Sequence, residues 1–349
     1  MQNYKDIPLG LSYDDVLLVP QYSEIKSRSD VDLSSQITPR IKLKLPLISS
    51  NMSSITDVKF AIALGKLGGL GVLPRFVSAE QEAKMVKTVK REKILVGAAV
   101  GVKEKEFERA KLLVSAGADL LVLDVAHGHM QQTIETTKKL KQIFGKKVDI
   151  VSGNVATFEA AKDLFIAGAD SVKVGIGPGS TCITRVETGC GVPQISAVLD
   201  CAKAARIYKK ALICDGGMKN SGDIVKALAA GASAVMTGHL FAGLKETAGK
   251  IVVKNGKKYK EYNGSTSLIE KSRQSPNNVK HVEGVASFVP YKGELKPYID
   301  RVLENIRSGF SYAGARNIKE LWQKAKFVRV SPNGLKENGH HDIIVIQND

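Results

Sequence analysis

Four side chains in the stretch KVGIGPGSTCITR, Lys173 to Arg185, raise the chemical question. Ser180, Cys182, Thr184 and Arg185 follow a turn built from Gly175, Gly177, Pro178 and Gly179. A thiol beside a cation is biased toward thiolate, the nucleophilic form. No histidine adjoins Cys182 in sequence to serve as base, so a cysteine–histidine hydrolase finds no support. Two further glycine sites, Gly216-Gly217 and Gly238-His239, leave bare backbone N–H groups that suit a phosphate, although glycines also simply turn a chain. The run DVAHGH, Asp124 to His129, offers one Asp and two His without a second ligating cluster. Asp124 therefore reads as a ribose- or amide-binding carboxylate before it reads as a metal ligand. Cys190, Cys201 and Cys214 form no CxxC pair, which argues against zinc or a disulfide framework. Cys201 and Cys214 lie in apolar contexts and are expected to be small buried residues.

These residues need strands to carry them. AGAD recurs at 116–119 and 167–170, AGAS at 230–233, and LGGLGVL at 67–73 does the same work. Each repeat closes a helical pattern and opens an apolar strand, with glycines at 69, 117, 168 and 231. Between the repeats lie further apolar runs. The expected strands are 45–49, 70–73, 96–100, 120–125, 149–155, 171–176, 211–217 and 234–239. Near-continuous apolar strands alternating with helices mean a parallel sheet. Eight such units fit a (β/α)8 TIM barrel, and no GxGxxG follows the first strand to favour a doubly wound sheet. The thiol loop, the two glycine sites and the Asp124 run then fall at strand ends, the face where barrels build their sites. The loop after the sixth strand is enlarged relative to its neighbours. A polar excursion over about 243–295 reads as a mobile flap, and helices near 296–308 and 317–326 close a single domain over 1–349 with a tail from about 331.

Composition sets the outer bounds. The chain has 349 residues, 43% of them hydrophobic, and a net charge of +16. No apolar run reaches membrane length and the N-terminus lacks signal-peptide features, so a cytoplasmic protein without membrane attachment is expected. Lysines are spread along helical faces with no interleaved aromatics, which points to general attraction for anionic ligands and no specific nucleic acid.

The cysteine loop, together with DGG at 215–217, VEGV at 282–285, LSYDDVLLVPQYSEIKSRSDVDL, LPLISSNM, LDVAHGH, SGNVAT and VPYKG, resembles the IMP dehydrogenase and GMP reductase superfamily from about residue 8 to 330. The resemblance implies a homotetrameric TIM barrel acting on a purine nucleotide monophosphate, GMP or IMP. It implies that Cys182 attacks C2 of the purine and that Thr184 and Glu283 relay a proton. Asp215 matches a ribose-binding position. Ser180, Gly217, Gly238 and His239 match phosphate contacts, while Gly216 and the flap residues Gly264, Ser265, Thr266, Lys280 and Gly284 complete the implied nucleotide site. Arg75, Asp124, Val125, Ala126, Ile176 and Gly177 match nicotinamide-cofactor contacts, and Arg28-Ser29 match a segment that reaches a neighbouring subunit's cofactor. Gly177, Gly179, Cys182 and Arg185 match a potassium site.

Within the superfamily the residues point to the reductase, with NADPH as reductant. The dehydrogenase alternative would use NAD and a flap Arg-Tyr pair that activates water. Here Arg273 is followed by Gln274. The short connection from strand two to strand three has no room for the regulatory CBS module typical of the dehydrogenase. Against this stand Val285, where reductases commonly carry lysine, His239, where the dehydrogenase carries serine, and a dehydrogenase-like tail, Leu335–Asp342. A non-catalytic purine-nucleotide sensor is the competing class. It would not require Cys182, Thr184 and Glu283 together.

Overall fold

The computed structural model describes residues 7–274 and 279–339. Eight parallel strands close on themselves: β1 (Leu47–Ser49), β2 (Leu70–Leu73), β3 (Val96–Val100), β4 (Leu120–Leu123), β5 (Asp149–Val155), β6 (Ser171–Val174), β7 (Ala211–Asp215) and β8 (Ala234–Thr237). Closure is direct, with Val235 of β8 beside Leu47 of β1. Every residue of β2, β3 and β4 is buried, because helices cover one face and the barrel interior takes the other. The interior holds Ile48, Leu70, Val72, Val122, Val151, Ile213 and Met236. It is plugged at the N-terminal end by Ile37, Ile41 and Leu43 from the hairpin Ser35–Gln36/Lys42–Leu43.

Helices α1 (Val58–Lys66), α2 (Ala79–Arg91), α3 (Glu106–Ser115), α4 (Gln131–Phe144), α5 (Phe158–Ile166), α6 (Gln194–Tyr208), α7 (Ser221–Ala229) and α8 (Leu295–Tyr312) form the outer ring. Asp57, Ser78, Thr157 and Asn220 cap the N-termini of α1, α2, α5 and α7 through their side chains. The AGAD and AGAS glycines are the left-handed residues that end helices, at φ values of 94°, 101° and 119° for Gly117, Gly168 and Gly231. In the first repeat that residue is Gly68, at 98°, and not Gly69.

The strand positions hold, with one systematic correction. β4, β6, β7 and β8 each end two residues before their expected limits. Gly175 follows β6 with φ 147°, and Gly216 and Gly217 follow β7 at 87° and 82°. Left-handed glycines turn the chain out of the ladder, so these residues belong to the mouth.

The excursion after β8 is more ordered than a polar flap suggests. It carries an antiparallel sheet of β9 (Ile251–Lys254), β10 (Lys257–Asn263) and β11 (Ala286–Pro290), and a helix at Leu268–Gln274. β9 and β10 meet at Asn255-Gly256, both with positive φ, the hairpin chemistry of a primed turn. Lys260, buried in β10, ties the sheet to the barrel by donating to the carbonyls of Leu244 at 2.9 Å and Thr247 at 2.6 Å. The closing helices run Leu295–Tyr312 and Ile318–Lys324. Between β2 and β3 the chain forms α2, with no further module there. No helix among the described residues is long and apolar enough to cross a membrane.

Candidate active site

Cys182 sits on the loop after β6, held by its own N–H to the Gly179 carbonyl at 3.0 Å. Its Sγ lies 3.1 Å from Thr184 Oγ1, and Thr184 Oγ1 donates to Glu283 Oε2 at 2.7 Å. A carboxylate only accepts, so the threonine proton points at Glu283 and the threonine oxygen is left to accept from the thiol. The three side chains thus form a directed path for a proton from sulfur to carboxylate. Glu283 comes from 99 residues away in sequence and is fixed by backbone pairing. Ile183 N–H donates to the Glu283 carbonyl at 2.9 Å, Val285 N–H to the Thr181 carbonyl at 2.9 Å, and Cys182 bridges to Gly284.

One cavity at the barrel mouth gathers most of the expected nucleotide positions. Ser180, Cys182, Asp215, Gly216 and Gly217 line one side. Gly238 and His239 face them, and Gly264, Ser265 and Thr266 close the cavity from the flap. Two buried polar atoms here have no partner: Ser50 Oγ and His239 Nδ1. Such atoms are costly unless a ligand meets them, which marks the cavity as polar and ready for one. Burial, and next the Lys292 ammonium, hold His239 below the usual histidine range, so its imidazole is neutral. Lys292 Nζ donates to the His239 carbonyl at 3.0 Å and adds positive charge behind the same turn. A Cβ at Gly238 would stand 2.9 Å from Ser50 Oγ and 3.0 Å from Tyr262 Oη, so this approach needs glycine. Lys280 is exposed and lines neither this cavity nor the adjoining one.

The adjoining cavity shares Cys182 and Asp215 and extends past Arg75, Asp124, Val125, Ala126 and Gly177. Arg75 Nε pairs with Asp124 Oδ2 at 3.1 Å, which fixes both expected cofactor residues in one unit. A third, apolar recess beyond Thr184 and Glu283 is lined by Ala126, Val155, Ile176 and Val192. Arg28 and Ser29 form a short exposed 3-10 turn that lines none of these cavities within the protomer.

At the expected potassium positions, the carbonyls of Gly179 and Arg185 accept the N–H groups of Cys182 and Gly189 and each keeps a second lone pair. The Arg185 guanidinium donates to the carbonyls of Ile176 at 3.1 Å and Val192 at 2.7 Å, placing a fixed positive charge in the loop. No cluster of three or more metal-ligating His, Cys, Asp or Glu occurs among the described residues. Of the tail Leu335–Asp342, His340 to Asp342 lie outside them. Cys201 and Cys214 are buried as expected, and burial pushes the Cys214 thiol up to about 12.

Three positions were given no role by the sequence reading. Tyr262, buried at the floor, has its phenol pushed up to about 12 by desolvation, so it stays a neutral hydrogen-bonding group. Thr181, whose hydroxyl bonds Tyr262, lies beside the thiol. Lys173, in the middle of β6, is 2% exposed and reaches Asp215. Its signal was a charged residue inside an otherwise apolar strand, SVKV.

The family model described as IMP dehydrogenase / GMP reductase domain matches residues 10–341. The chain belongs to this family. A GMP reductase of Leishmania major is 34% identical over an alignment covering 97% of this chain and 98% of that protein. An inosine-5'-monophosphate dehydrogenase of Cryptosporidium parvum is 37% identical with 98% of each covered. A crystal structure of a Trypanosoma brucei GMP reductase, with one cysteine replaced by alanine and guanosine 5'-monophosphate bound, superposes with TM-score 0.93 at 30% identity. It covers 97% of this chain and 99% of its own. The family comparison also corrects one expectation. The Leishmania alignment spans 480 positions against 349 residues here, so that reductase carries more than a hundred positions this chain lacks. The Cryptosporidium dehydrogenase aligns over only 395. A compact chain therefore does not separate reductase from dehydrogenase.

Proposed function

We propose that this protein is an NADPH-dependent GMP reductase, converting GMP to IMP and ammonia. The observation that carries the reading is the Cys182–Thr184–Glu283 path, combined with a flap arginine already engaged elsewhere. Arg273 Nη1 pairs with Glu270 Oε1 at 2.7 Å, and Glu270 in turn accepts from Ser53 at 2.8 Å. A hydrolytic dehydrogenase needs a free base for water, and no Arg-Tyr pair supplies one here. The reductase needs only an acid for its leaving group.

In this reading the nucleotide phosphate lies against Gly217, Gly238 and neutral His239, and the ribose against Asp215. Cys182 gives its proton along Thr184 to Glu283, and its sulfur adds to C2 of the purine. Glu283 returns a proton through Thr184 as the C2–N bond breaks and ammonia leaves. NADPH supplies a hydride to C2 when bound beside Arg75, Asp124 and the apolar recess. The C2–S bond then breaks and Cys182 departs as thiolate. No step is assigned to potassium, which would be held at Gly177, Gly179, Cys182 and Arg185. A homotetramer would bring Arg28-Ser29 to a neighbour's cofactor, and a cytoplasmic setting matches the substrates.

The test is direct. Purified protein with GMP and NADPH should lose absorbance at the reduced-nicotinamide band and release one ammonia per NADPH. Formation of NADH from IMP and NAD, with no NADPH loss on GMP, would establish the dehydrogenase instead. The dehydrogenase-like tail and the Cryptosporidium relative keep that second reading in play.

The neutral His239 has a consequence for stability. Its folded pKa is lowered from 6.5, so near and below pH 6.5 the unfolded chain binds a proton that the folded chain does not. The stabilisation is full above pH 6.5 and lost as pH falls. Denaturant midpoints measured from pH 7.5 to 5.5 should fall less steeply for His239→Gln than for the unaltered protein.

A further inference from the structure

The carboxylate of Asp215 is used unevenly. Its Oδ2 accepts from Lys173 Nζ at 2.7 Å and from Asn154 Nδ2 at 2.9 Å. No donor among the described residues reaches Oδ1, and Asp215 borders both the nucleotide cavity and the adjoining one. Lys173 also donates to Asn154 Oδ1, and Asn154 Nδ2 donates to the Gly175 carbonyl at 2.8 Å. Gln194 Nε2 holds the Asp215 carbonyl at 3.1 Å from behind. Both the backbone and one oxygen of Asp215 are therefore pinned, while the other oxygen is left open.

Lys173 has no role in the proton path, yet an ammonium in a barrel interior is strongly disfavoured unless it is fully paired. Its ammonium donates to Asp215 Oδ2 and Asn154 Oδ1, one from the neighbouring strand on each side. A barrel that needed only filling would place an apolar side chain there, as Ile213, its register partner on β7, does in the interior.

We infer that Lys173 is a positioning residue for the nucleotide's ribose. It neutralises Asp215 and clamps Oδ2, so that Oδ1 stands ready to accept from a ribose hydroxyl. The inference rests on the reading that Asp215 binds the ribose. It does not depend on the direction of the redox chemistry, since GMP and IMP share that ribose.

The experiment compares equilibrium binding of GMP and 2'-deoxy-GMP, which differ only at the hydroxyl in question. A hydrogen bond to a charged acceptor is worth roughly tenfold or more in affinity, so the unaltered protein should prefer GMP by about that factor. Asp215→Asn should lower the preference. Lys173→Met should lower it as well, weakening GMP while leaving 2'-deoxy-GMP little changed, and Lys173→Arg should restore part of it. The double variant Lys173→Met/Asp215→Asn leaves no unpaired charge, keeps the test usable if Lys173→Met folds poorly, and should match Asp215→Asn alone. A folded Lys173→Met protein that keeps the full preference overturns the inference by itself. Loss in the double variant well beyond Asp215→Asn would show Lys173 touching the nucleotide directly and also overturn it. An Asp215→Asn protein with unchanged preference removes the ribose reading and the inference with it.

Discussion

Cys182→Ala is expected to abolish turnover while GMP still binds. Removing the attacking atom of a covalent mechanism costs on the order of 10⁴-fold or more in kcat, because no other group can form the bond. Binding should survive, since the phosphate and ribose contacts assigned above involve other side chains. Tyr262, Gly238 and His239 shape the cavity independently of the sulfur. The decisive comparison is single-turnover rate against nucleotide affinity in the same preparation. A variant that keeps more than a few per cent of kcat would rule out the covalent route, and unchanged rates with lost affinity would make Cys182 a mere contact.

Glu283→Gln should cost about 10²–10⁴-fold in kcat, the range for removing a positioned proton-transfer group. The amide keeps the size of the carboxylic acid and its oxygen can still accept from Thr184, so the loop geometry is preserved. What it loses is the capacity to hold and return a proton. Thr184→Val breaks the same path one link earlier, so the double variant should be little worse than either single one. The pH profile should separate this from a structural effect: the limb reporting the carboxylate disappears in Glu283→Gln while KM for GMP stays near its original value. Additive losses, or an unchanged profile, would take Glu283 out of the proton path.

Much of this architecture was legible because it depends on local chemistry. Helix-ending glycines and buried apolar runs gave all eight barrel strands. The strand ends were overrun because Val125, Ile176 and His239 continue an apolar or neutral pattern, and after β6 and β7 the turn is made by backbone angles at Gly175, Gly216 and Gly217. The flap sheet was missed for the opposite reason. KKYKEYN is polar on its exposed face and does not look like a strand, although Asn255-Gly256 was a readable hairpin signal. Cys182 stood out as a thiol in a glycine-rich loop beside Thr184 and Arg185, while Glu283 and the proton-relay roles came from motif resemblance. Spacing alone could not join residues 99 positions apart. Lys173 escaped because a charge inside a parallel strand acquires meaning only once Asp215 on the next strand is seen beside it.

The backbone ladder between the thiol loop and residues 283–285 has one more consequence. Cys182 and Glu283, the nucleophile and proton acceptor of the proposed mechanism, ride on segments sewn to each other, so they would dock or depart as a single mechanical part. A chain in which this seam is open presents a cysteine without its threonine–glutamate outlet. It would bind a nucleotide without committing to bond formation. In the proposed mechanism, assembly of the flap would be the point at which occupancy becomes reaction.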